Sequence, residues 1–227
     1  LSLALGIGAN AAIYSRFDQI LLRPLRVAAP DELVTLTLPG PIQGSDSCNQ
    51  SGCRDGLIWS YPMFRDLERT QTVLAGLAGH RIFGASIALG DEPTVGDGIY
   101  VTGGFFPMLG VQPALGRLLQ PRDNEPGSDN MVAVISHRFW MDRFGGKQDA
   151  LGQLLRLNGR PFTIVGVAPQ GFEGPTLGSR PLVYVPMQSR IWVGTYNGLE
   201  NRRDYWVYVL GRRKAGMSLE ATTAGLD

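Results

Sequence analysis

The chain contains two histidines, His80 and His137, the side chains best suited to act as a general base near neutral pH. His137 directly follows Ser136, but residues adjacent in sequence rarely present their side chains to each other as nucleophile and base. Ser136 is better explained as the N-cap of a helix that begins at His137. His80 follows Gly79, where we expect a helix to end and the imidazole to interact with the helix dipole. Neither histidine predicts a catalytic site.

Three carboxylates, Asp123, Glu125 and Asp129, lie in the stretch PRDNEPGSDN, where clustered oxygens would suit calcium. Their spacing lacks the glycine and the terminal glutamate of the common calcium loop. We therefore expect a solvated turn that binds no metal.

Two cysteines, Cys48 and Cys53, lie in the polar stretch SDSCNQSGCRDG, which is typical of an exposed loop. Because free cysteines prefer burial, a pair of them in an exposed loop favours a disulfide, and therefore an oxidising compartment. Two unpaired thiols are the alternative. A zinc site is a weaker interpretation, since no histidine lies nearby to complete the metal shell.

Nucleotide and nucleic-acid binding find little support in the sequence. The glycine-rich stretches GLGSRP and VTGGFF lack the Lys-Ser/Thr pair of a P-loop. The formal net charge is +1 and 18% of the residues are charged, so there is no basic excess. Basic residues form two small clusters, one in an expected loop and one at an expected strand end: Arg202 and Arg203, then Arg212, Arg213 and Lys214. Neither cluster is dense enough to indicate nucleic acid.

Three tryptophans, Trp140, Trp192 and Trp206, are expected in a core or an interface rather than in a ligand cage. The sequence offers no nucleophile with a base, no metal cluster and no phosphate-binding loop. We therefore predict a protein that is not an enzyme and that needs no cofactor.

The chain begins with an uncharged apolar stretch, LSLALGIGANAAIYS. As a helix it would cover roughly 22 Å, less than the roughly 30 Å hydrocarbon core of a bilayer. No basic region precedes it, as a signal peptide would require, and its small residues suit helix contacts in a membrane. We predict that residues 1–24 are the end of a transmembrane helix, cut by the start of the chain. A buried helix and a signal-peptide remnant are the alternatives.

The next segments predict strands and one amphipathic helix. DELVTLTL alternates apolar and polar residues and predicts a strand. Ser60 and Pro62 predict the start of a helix whose apolar residues continue at helical spacing to Leu77. FGASIALG and EPTVGDGIYVTG predict two paired strands joined by GDEP.

The second half of the chain predicts further short elements. GGFFPMLG predicts a short helix, MVAVIS a buried strand, and HRFWMDRFGG a helix ended by Gly145 and Gly146. Asn158-Gly159 predicts a tight hairpin turn, and LVYVPM and DYWVYVL predict two more strands. Ser218 predicts the N-cap of a last helix, inside which the chain stops, so we expect a fragment of a larger protein. The fold class is therefore α+β, with a β-rich insert between two halves.

The stretch GDGIYVTGGFFPMLG is strongly patterned and carries no reactive group. We expect Gly103 and Gly104 to let the backbone turn without a side-chain clash. We expect the apolar residues that follow to be buried: Phe105, Phe106, Met108 and Leu109. The role of this stretch is therefore predicted to be architectural.

An ordered series of segments resembles the MacB-like periplasmic core domain of bacterial ABC-transporter permeases of the FtsX/LolC type. The segments are ALGIGANAAIYS, SYPMFRDL, VTGGFFPMLGVQPALGRLL, VAVISHRFWMDRFGG, LGQLLRLNGRPFTIVGVAPQGFEG and LVYVPM. Their order and spacing agree over nearly the whole chain, and ALGIGAN and the hairpin are most similar to duplicated orphan permeases. The cysteine-bearing loop is longer than the family pattern, so partner contacts made there are not carried over.

The resemblance implies porter-like β-α-β half-domains with an inserted β-rich lobe, preceded by the end of a transmembrane helix. Residues 1–24 would be the membrane exit, and residues 25–227 the periplasmic core domain. Within that domain, residues 25–80 and 203–227 would form the porter half and residues 81–202 the lobe.

The resemblance also implies a domain on the periplasmic side of the bacterial inner membrane. Such a domain has no catalytic activity and couples the motion of a partner ATPase to export or to a periplasmic partner. A second permease copy, as a dimer or an internal duplicate, is a further expected partner, and nucleic acid is not. The alternative is a soluble extracytoplasmic binding module without a role in transport.

Overall fold

The computed structural model of the chain describes residues 27–38, 43–47, 56–90, 92–125, 131–176, 178–194 and 198–226. The strands in this part are β1 (Leu33–Leu36), β2 (Ser45–Asp46), β3 (Ile58–Ser60), β4 (Leu74–Leu89), β5 (Glu92–Val101), β6 (Leu115–Gly116), β7 (Val132–Ile135), β8 (Leu154–Leu157), β9 (Arg160–Val167), β10 (Val183–Pro186) and β11 (Asp204–Arg213). The α-helices are α1 (Tyr61–Thr70), α2 (Phe105–Leu109), α3 (His137–Phe144), α4 (Arg190–Val193) and α5 (Leu219–Ala224). The predicted α+β class is confirmed, whereas the transmembrane helix expected over residues 1–24 lies outside the described residues.

Six strands in the middle of the chain close into a barrel. Their order is β4, β5, β10, β7, β9 and β8, and β8 pairs again with β4. The β5–β10 and β7–β9 pairs are parallel, whereas the other four pairs are antiparallel. Closure gives each of these strands a partner on both sides, which removes the exposed edges that an open sheet would have.

The barrel strands carry apolar residues on both faces. Ile87 on β4, Phe162 on β9 and Val185 on β10 belong to the larger core cluster and are at most 1% exposed. On β5, the alternate residues Ile99 and Val101 belong instead to a second cluster that includes the aromatic residues of α2. Because successive side chains of a strand point to opposite faces, the barrel wall separates these two clusters.

Strand β4 joins the barrel to a second group of strands. Its first half pairs antiparallel with β11, from Leu74 opposite Arg213 to His80 opposite Tyr208. Its second half pairs with β5 and β8. β1 pairs with the same part of β11 on its other edge, whereas β2 and β3 pair with the start of β11. The boundary predicted near residue 80, between porter half and lobe, therefore falls within one continuous strand, and the division stays a prediction.

The helix predicted from Ser60 to Leu77 is shorter than expected. Helix α1 ends at Thr70, and Gln71 caps it in an extended conformation. The Gln71 side chain then accepts a hydrogen bond from the Leu74 N–H at 2.8 Å, at the start of β4. The apolar residues of the run LAGLAGH fit both helical and strand spacing. The run forms a strand because it pairs with β11, which lies far away in sequence.

The other predicted helix signals are confirmed. Ser60, Ser136 and Ser218 each accept a hydrogen bond from the backbone N–H three residues later, at 3.4, 3.2 and 3.1 Å. Gly145 ends α3 in the left-handed conformation, with a φ of 58°.

The turn between β5 and α2 depends on close backbone approach. A Cβ atom on Gly103 would lie 2.3 Å from the Pro121 Cα, and one on Gly104 would lie 2.9 Å from the Leu77 carbonyl oxygen. The residues that follow are buried as predicted: Phe105, Phe106, Met108 and Leu109. Only glycine fits where another segment comes this near.

The predicted hairpin turn at Asn158-Gly159 is confirmed, with φ values of 47° and 83°. Asn158 also fastens the hairpin to β4. Its backbone N–H donates to the Ser86 carbonyl at 2.8 Å. Its Oδ1 accepts a hydrogen bond from the Ser86 N–H, also at 2.8 Å. Its Nδ2 donates to the carbonyls of Gly84 and Val193 at 3.3 and 3.2 Å. The turn residue therefore helps to close the barrel.

Replacing Asn158 separates these two roles. Asn158→Gly keeps the left-handed turn but removes the side-chain hydrogen bonds, so we expect the free energy of unfolding to fall by about 2 kcal/mol. Asn158→Ala also forces an alanine into the left-handed region, which costs about 1 kcal/mol more. Urea denaturation of the purified protein measures both values. A glycine variant as stable as the wild type would show that the turn alone is sufficient.

Candidate functional site

The Arg212 side chain attaches the segment that precedes β1 to β11 and α2. Its Nη2 donates to the Ala28 carbonyl at 2.6 Å. Its Nη1 donates to the Ala29 carbonyl and to the Glu32 carboxylate, both at 3.0 Å. Its Nε donates to the Met108 carbonyl at 2.7 Å. We name this group of five residues the Arg212 joint.

The backbone places Arg212 where these acceptors meet. It lies near the end of β11, opposite Leu33 on β1 and Gly76 on β4. Met108 belongs to the last turn of α2, where carbonyls lack helix partners and a cation is favoured by the helix dipole. The side chain of Arg212 is only 14% exposed, so its N–H groups depend on these protein acceptors rather than on water. The joint therefore holds β11, α2 and residues 28–32 together.

The two cations that follow Arg212 extend the same attachment. Arg213 donates to the carbonyls of Asp31, at 2.8 Å, and of Met217. Lys214 donates to the Thr72 carbonyl at 2.6 Å, just before β4. The basic cluster predicted at the end of a strand is thus found there, where it binds backbone carbonyls.

A second buried cation lies at the opposite end of β11. The Arg190 guanidinium is 3.9 Å from the centroid of the Trp206 ring, and its Nη1 is 3.2 Å from the Asp204 carboxylate. The side chains of the ion pair are 12% and 6% exposed. Arg81 donates to the Trp206 carbonyl at 3.4 Å, and burial lowers the pKa of Arg81. Separating the two side chains would leave an unpaired buried charge, which is energetically costly. The ion pair therefore holds α4 against the start of β11.

The solvated turn predicted around Asp123 is wrong for that residue. Asp123 is 2% exposed, and its carboxylate accepts hydrogen bonds from Arg117 at 2.7 and 2.9 Å and from the Gln120 N–H at 2.8 Å. The bidentate pair allows the carboxylate to be buried without a metal. Glu125 is exposed, as predicted, and Asp129 lies outside the described residues.

His80 does not lie at the end of a helix, as predicted, because residues 74–89 form β4. Its ring lies between those of Phe105 and Tyr208, with centroids 6.1 and 5.6 Å away, and its Nε2 is 3.4 Å from the Thr176 hydroxyl. Burial lowers the pKa of His80 to about 3, and the charge on Arg81 acts in the same direction. The imidazole is therefore neutral at physiological pH and serves as a core residue.

The structure gives Ser136 and His137 separate roles. Ser136 caps α3, whereas the His137 ring packs edge-on against the Trp140 ring at 5.4 Å. Trp206 is buried, as predicted for a core residue, and Trp192 is half-buried. The serine, histidine and tryptophan residues considered in the sequence therefore do not form one common site.

Cys48 and Cys53, the predicted disulfide, lie outside the described residues. Within the described ranges, no three His, Cys, Asp or Glu side chains come together as metal ligands. In that same part of the chain, no helix has both the length and the apolarity to cross a bilayer.

Sequence reasoning placed Arg212 at a strand end but did not predict the partners of Arg117, Arg190 and Arg212. One signal was available: Asp204 opens the apolar strand DYWVYVL, and a carboxylate at such a position needs a cationic partner. The identity of that partner was not available, because the pairs form through tertiary packing. Arg212 is 180 residues from Glu32 in sequence.

A family model described as MacB-like periplasmic core domain matches residues 1–227. A comparison with curated protein sequences finds no significant match. The periplasmic region of MacB from Actinobacillus actinomycetemcomitans has a TM-score of 0.63 and 14% identity, covering 88% of this chain and 82% of that one. The extracellular domain of the noncanonic ABC-type transporter YknZ from Gram-positive bacteria has a TM-score of 0.58 and 16% identity, covering 84% and 88%.

A third similar structure is a domain of a putative permease protein from Porphyromonas gingivalis. It has a TM-score of 0.51 and 21% identity, covering 74% of this chain and 68% of that one. At these identities, the three structures establish a shared fold and no more.

Arg212→Lys tests the joint. Lysine keeps the charge but lacks the planar fork that reaches several acceptors, so we expect the free energy of unfolding to fall by about 2–3 kcal/mol. Amide hydrogen exchange of residues 28–32 should accelerate as well. The matched control is Arg202→Lys, since Arg202 is 63% exposed and pairs with Asp66 at the surface. It should cost less than about 1 kcal/mol. Equal losses in the two variants would contradict the joint.

The lowered pKa of His80 predicts a pH-dependent stability. The unfolded imidazole has a pKa near 6.5 and takes up a proton below it, whereas the folded one stays neutral down to about 3. This stabilising contribution is therefore complete above pH 6.5 and is lost as the pH falls toward 3. The slope is at most about 1.4 kcal/mol per pH unit.

Denaturation of the wild type and of His80→Leu at neutral pH and at about pH 5 measures this contribution. We expect the wild type to lose about 2 kcal/mol more than the variant over this interval. Parallel curves for the wild type and His80→Leu would show that His80 is not held neutral.

Proposed function

Since the chain belongs to the MacB-like periplasmic core domain family, the extracytoplasmic domains of ABC-transporter permeases, we propose that it transmits motion. In this proposal, the domain couples ATPase-driven movement of the permease to export or to a periplasmic partner, and it catalyses no reaction. The observation that carries the proposal is the Arg212 joint, which fixes residues 28–32 to β11 and α2.

The order of the contacts supports a continuous mechanical connection. Residues 1–24 are proposed as the end of the first transmembrane helix, so residues 28–32 would be the first part of the domain to move. The joint passes that displacement to β11, which pairs with the first half of β4. β4 is sixteen residues long, roughly 50 Å when extended, and its second half is part of the closed barrel.

The proposed location is the bacterial inner membrane, with the domain on the periplasmic side. The proposed partners are an ATPase subunit, a second permease copy and a periplasmic protein. We further propose that residues 25–80 and 203–227 act as the porter half and residues 81–202 as the lobe. One similar structure is described as the periplasmic region of MacB and another as the extracellular domain of an ABC-type transporter, and the shared fold supports the proposed location.

The test uses the full-length permease with its ATPase in liposomes. A fluorophore on Arg138→Cys, on the exposed side of α3, reports movement of the barrel, in a background with Cys48 and Cys53 replaced by serine. We expect an ATP-dependent change in the signal that is reduced in Arg212→Ala, because the leading segment loses its three hydrogen bonds to Arg212 and keeps its links to β11 through Arg213 and the pairing of β1 with β11. Arg202→Ala is the control and should keep the change.

Orientation is measured first in the same background. A membrane-impermeant maleimide should label Thr223→Cys, an exposed position on α5, in intact spheroplasts. Labelling that requires membrane disruption would refute the extracytoplasmic location. A correctly oriented protein whose barrel signal is identical in Arg212→Ala and the wild type would refute coupling through the joint.

A further inference from the structure

The end of α2 contacts residues 28–32 directly, in addition to the link made by Arg212. The Ala28 N–H donates to the carbonyl of Leu109, the last residue of α2, at 3.1 Å. Gly110 follows in the left-handed conformation, with a φ of 67°. A Cβ atom placed on Gly110 would lie 2.7 Å from the Ala28 Cβ. The two backbones therefore approach each other as closely as a glycine allows.

The segment that continues from Gly110 is attached to the barrel a few residues later, where β6 pairs antiparallel with the end of β9. Before β6, the Ala114 N–H donates to the Val167 carbonyl at 2.9 Å. After β6, the Arg117 N–H donates to the Val165 carbonyl at 3.0 Å. Because β7 pairs with the same end of β9 on its other edge, this part of the barrel is held between β6 and β7.

Two glycines allow this segment to lie so close to β9. A Cβ atom on Gly166 would lie 1.9 Å from the Arg117 carbonyl oxygen, and one on Gly116 would lie 2.4 Å from the Val165 carbonyl oxygen. Gly116 also has a φ of 67°, which disfavours residues with a side chain. A larger residue at either position would therefore displace the segment from the barrel.

The connection between these two attachments is short and restricted. Leu115 follows Gly110 by five residues, which is at most roughly 18 Å of extended chain. Pro113 fixes its own φ and keeps Gln112 out of the helical region. Val111 is buried in the same core cluster as the aromatic residues of α2. The segment therefore has little freedom to stretch or to fold back when one of its ends is displaced.

We propose that residues 110–117, which we name the strap, tie residues 28–32 directly to β9 of the barrel. A displacement of residues 28–32 then reaches the barrel through α2 and the strap, as well as through β11 and β4. Arg212 strengthens the first attachment, since it donates to both the Ala28 and the Met108 carbonyls. The proposal rests on the proposed function, in which residues 28–32 are the first part of the domain to move.

The first experiment measures amide hydrogen exchange of residues 28–32 in the full-length permease in nanodiscs, without ATP. Gly110→Ala places a methyl group against that of Ala28. Gly145→Ala is the matched control, because Gly145 also ends a helix in the left-handed conformation but a Cβ atom added there meets nothing within 4 Å. The double variant with Gly110→Ala and Ala28→Gly removes the clash and keeps the backbone strain.

We expect residues 28–32 to exchange at least about tenfold faster in Gly110→Ala than in the wild type, because the added methyl group pushes Ala28 away from the Leu109 carbonyl. Gly145→Ala should exchange at the wild-type rate in this region, and Ala28→Gly should restore most of the protection lost in Gly110→Ala. Wild-type exchange in Gly110→Ala, equal acceleration in the two glycine variants, or no recovery in the double variant would overturn the attachment.

The second experiment measures transmission with the fluorophore on Arg138→Cys, in the liposomes that contain the permease and its ATPase. Two glycines inserted between Gln112 and Pro113 lengthen the strap and leave the attachments at its two ends in place. The control is an insertion of two glycines after Gly90, in the turn between β4 and β5. We expect a partial loss of the ATP-dependent change in the strap insertion, none in the control, and the largest loss when the strap insertion is combined with Arg212→Ala.

The outcomes separate the strap from the proposed function. A strap insertion that keeps the full wild-type change would overturn transmission through the strap, while a reduced change in Arg212→Ala would still support coupling through the joint. A wild type without any ATP-dependent change would refute the proposed function and, with it, transmission through the strap. The exchange experiment needs no ATP, so it decides the attachment of the strap in either case.

Discussion

A guanidinium withdrawn from water needs acceptors for its N–H groups, and in this chain the acceptors of Arg212 belong to distant parts of the sequence. Ala28, Ala29 and Glu32 lie before β1, and Met108 lies in α2. The side chain is satisfied only when β11, α2 and the leading segment are assembled together. Arg212, together with Arg213 and the Ala28 N–H, therefore makes the attachment of residues 28–32 part of the cooperative fold rather than a separate surface contact.

The backbone N–H and C=O groups of the barrel strands likewise need hydrogen-bond partners. The six strands need partners on both sides, and the contact that completes the ring is the short pairing of β8 with β4, reinforced by Asn158. On this edge of β4, β8 pairs with Ile87 and Ala88, and Asn158 bonds the backbone of Ser86. These contacts cover backbone groups that an exposed edge strand would present to solvent.

Local signals were sufficient for much of the fold. Each serine cap and the Asn158-Gly159 turn depend on a few neighbouring residues, and the three helices begin, and the hairpin turns, where predicted. The extent of β4 was not predictable, since LAGLAGH fits both helical and strand spacing until β11 pairs with it. The prediction that His80 follows the end of a helix was wrong for the same reason, since His80 lies in β4. The Arg212 joint and barrel closure are tertiary contacts between residues far apart in sequence, whereas Arg117 and Asp123 are six residues apart and a turn-based argument could have paired them.

The joint and the barrel are linked by one continuous strand. Gly76, at the start of β4, lies opposite Arg212, and the same strand continues to Leu89 in the barrel wall. β11 pairs with β4 up to His80, and β5 pairs with it from His80 onward, so β4 is held by a partner strand along nearly its whole length. A displacement at residues 28–32 would therefore act on a strand that is also part of the barrel. This arrangement needs no reactive group, which accounts for a sequence whose strongest patterns consist of glycines and buried apolar residues.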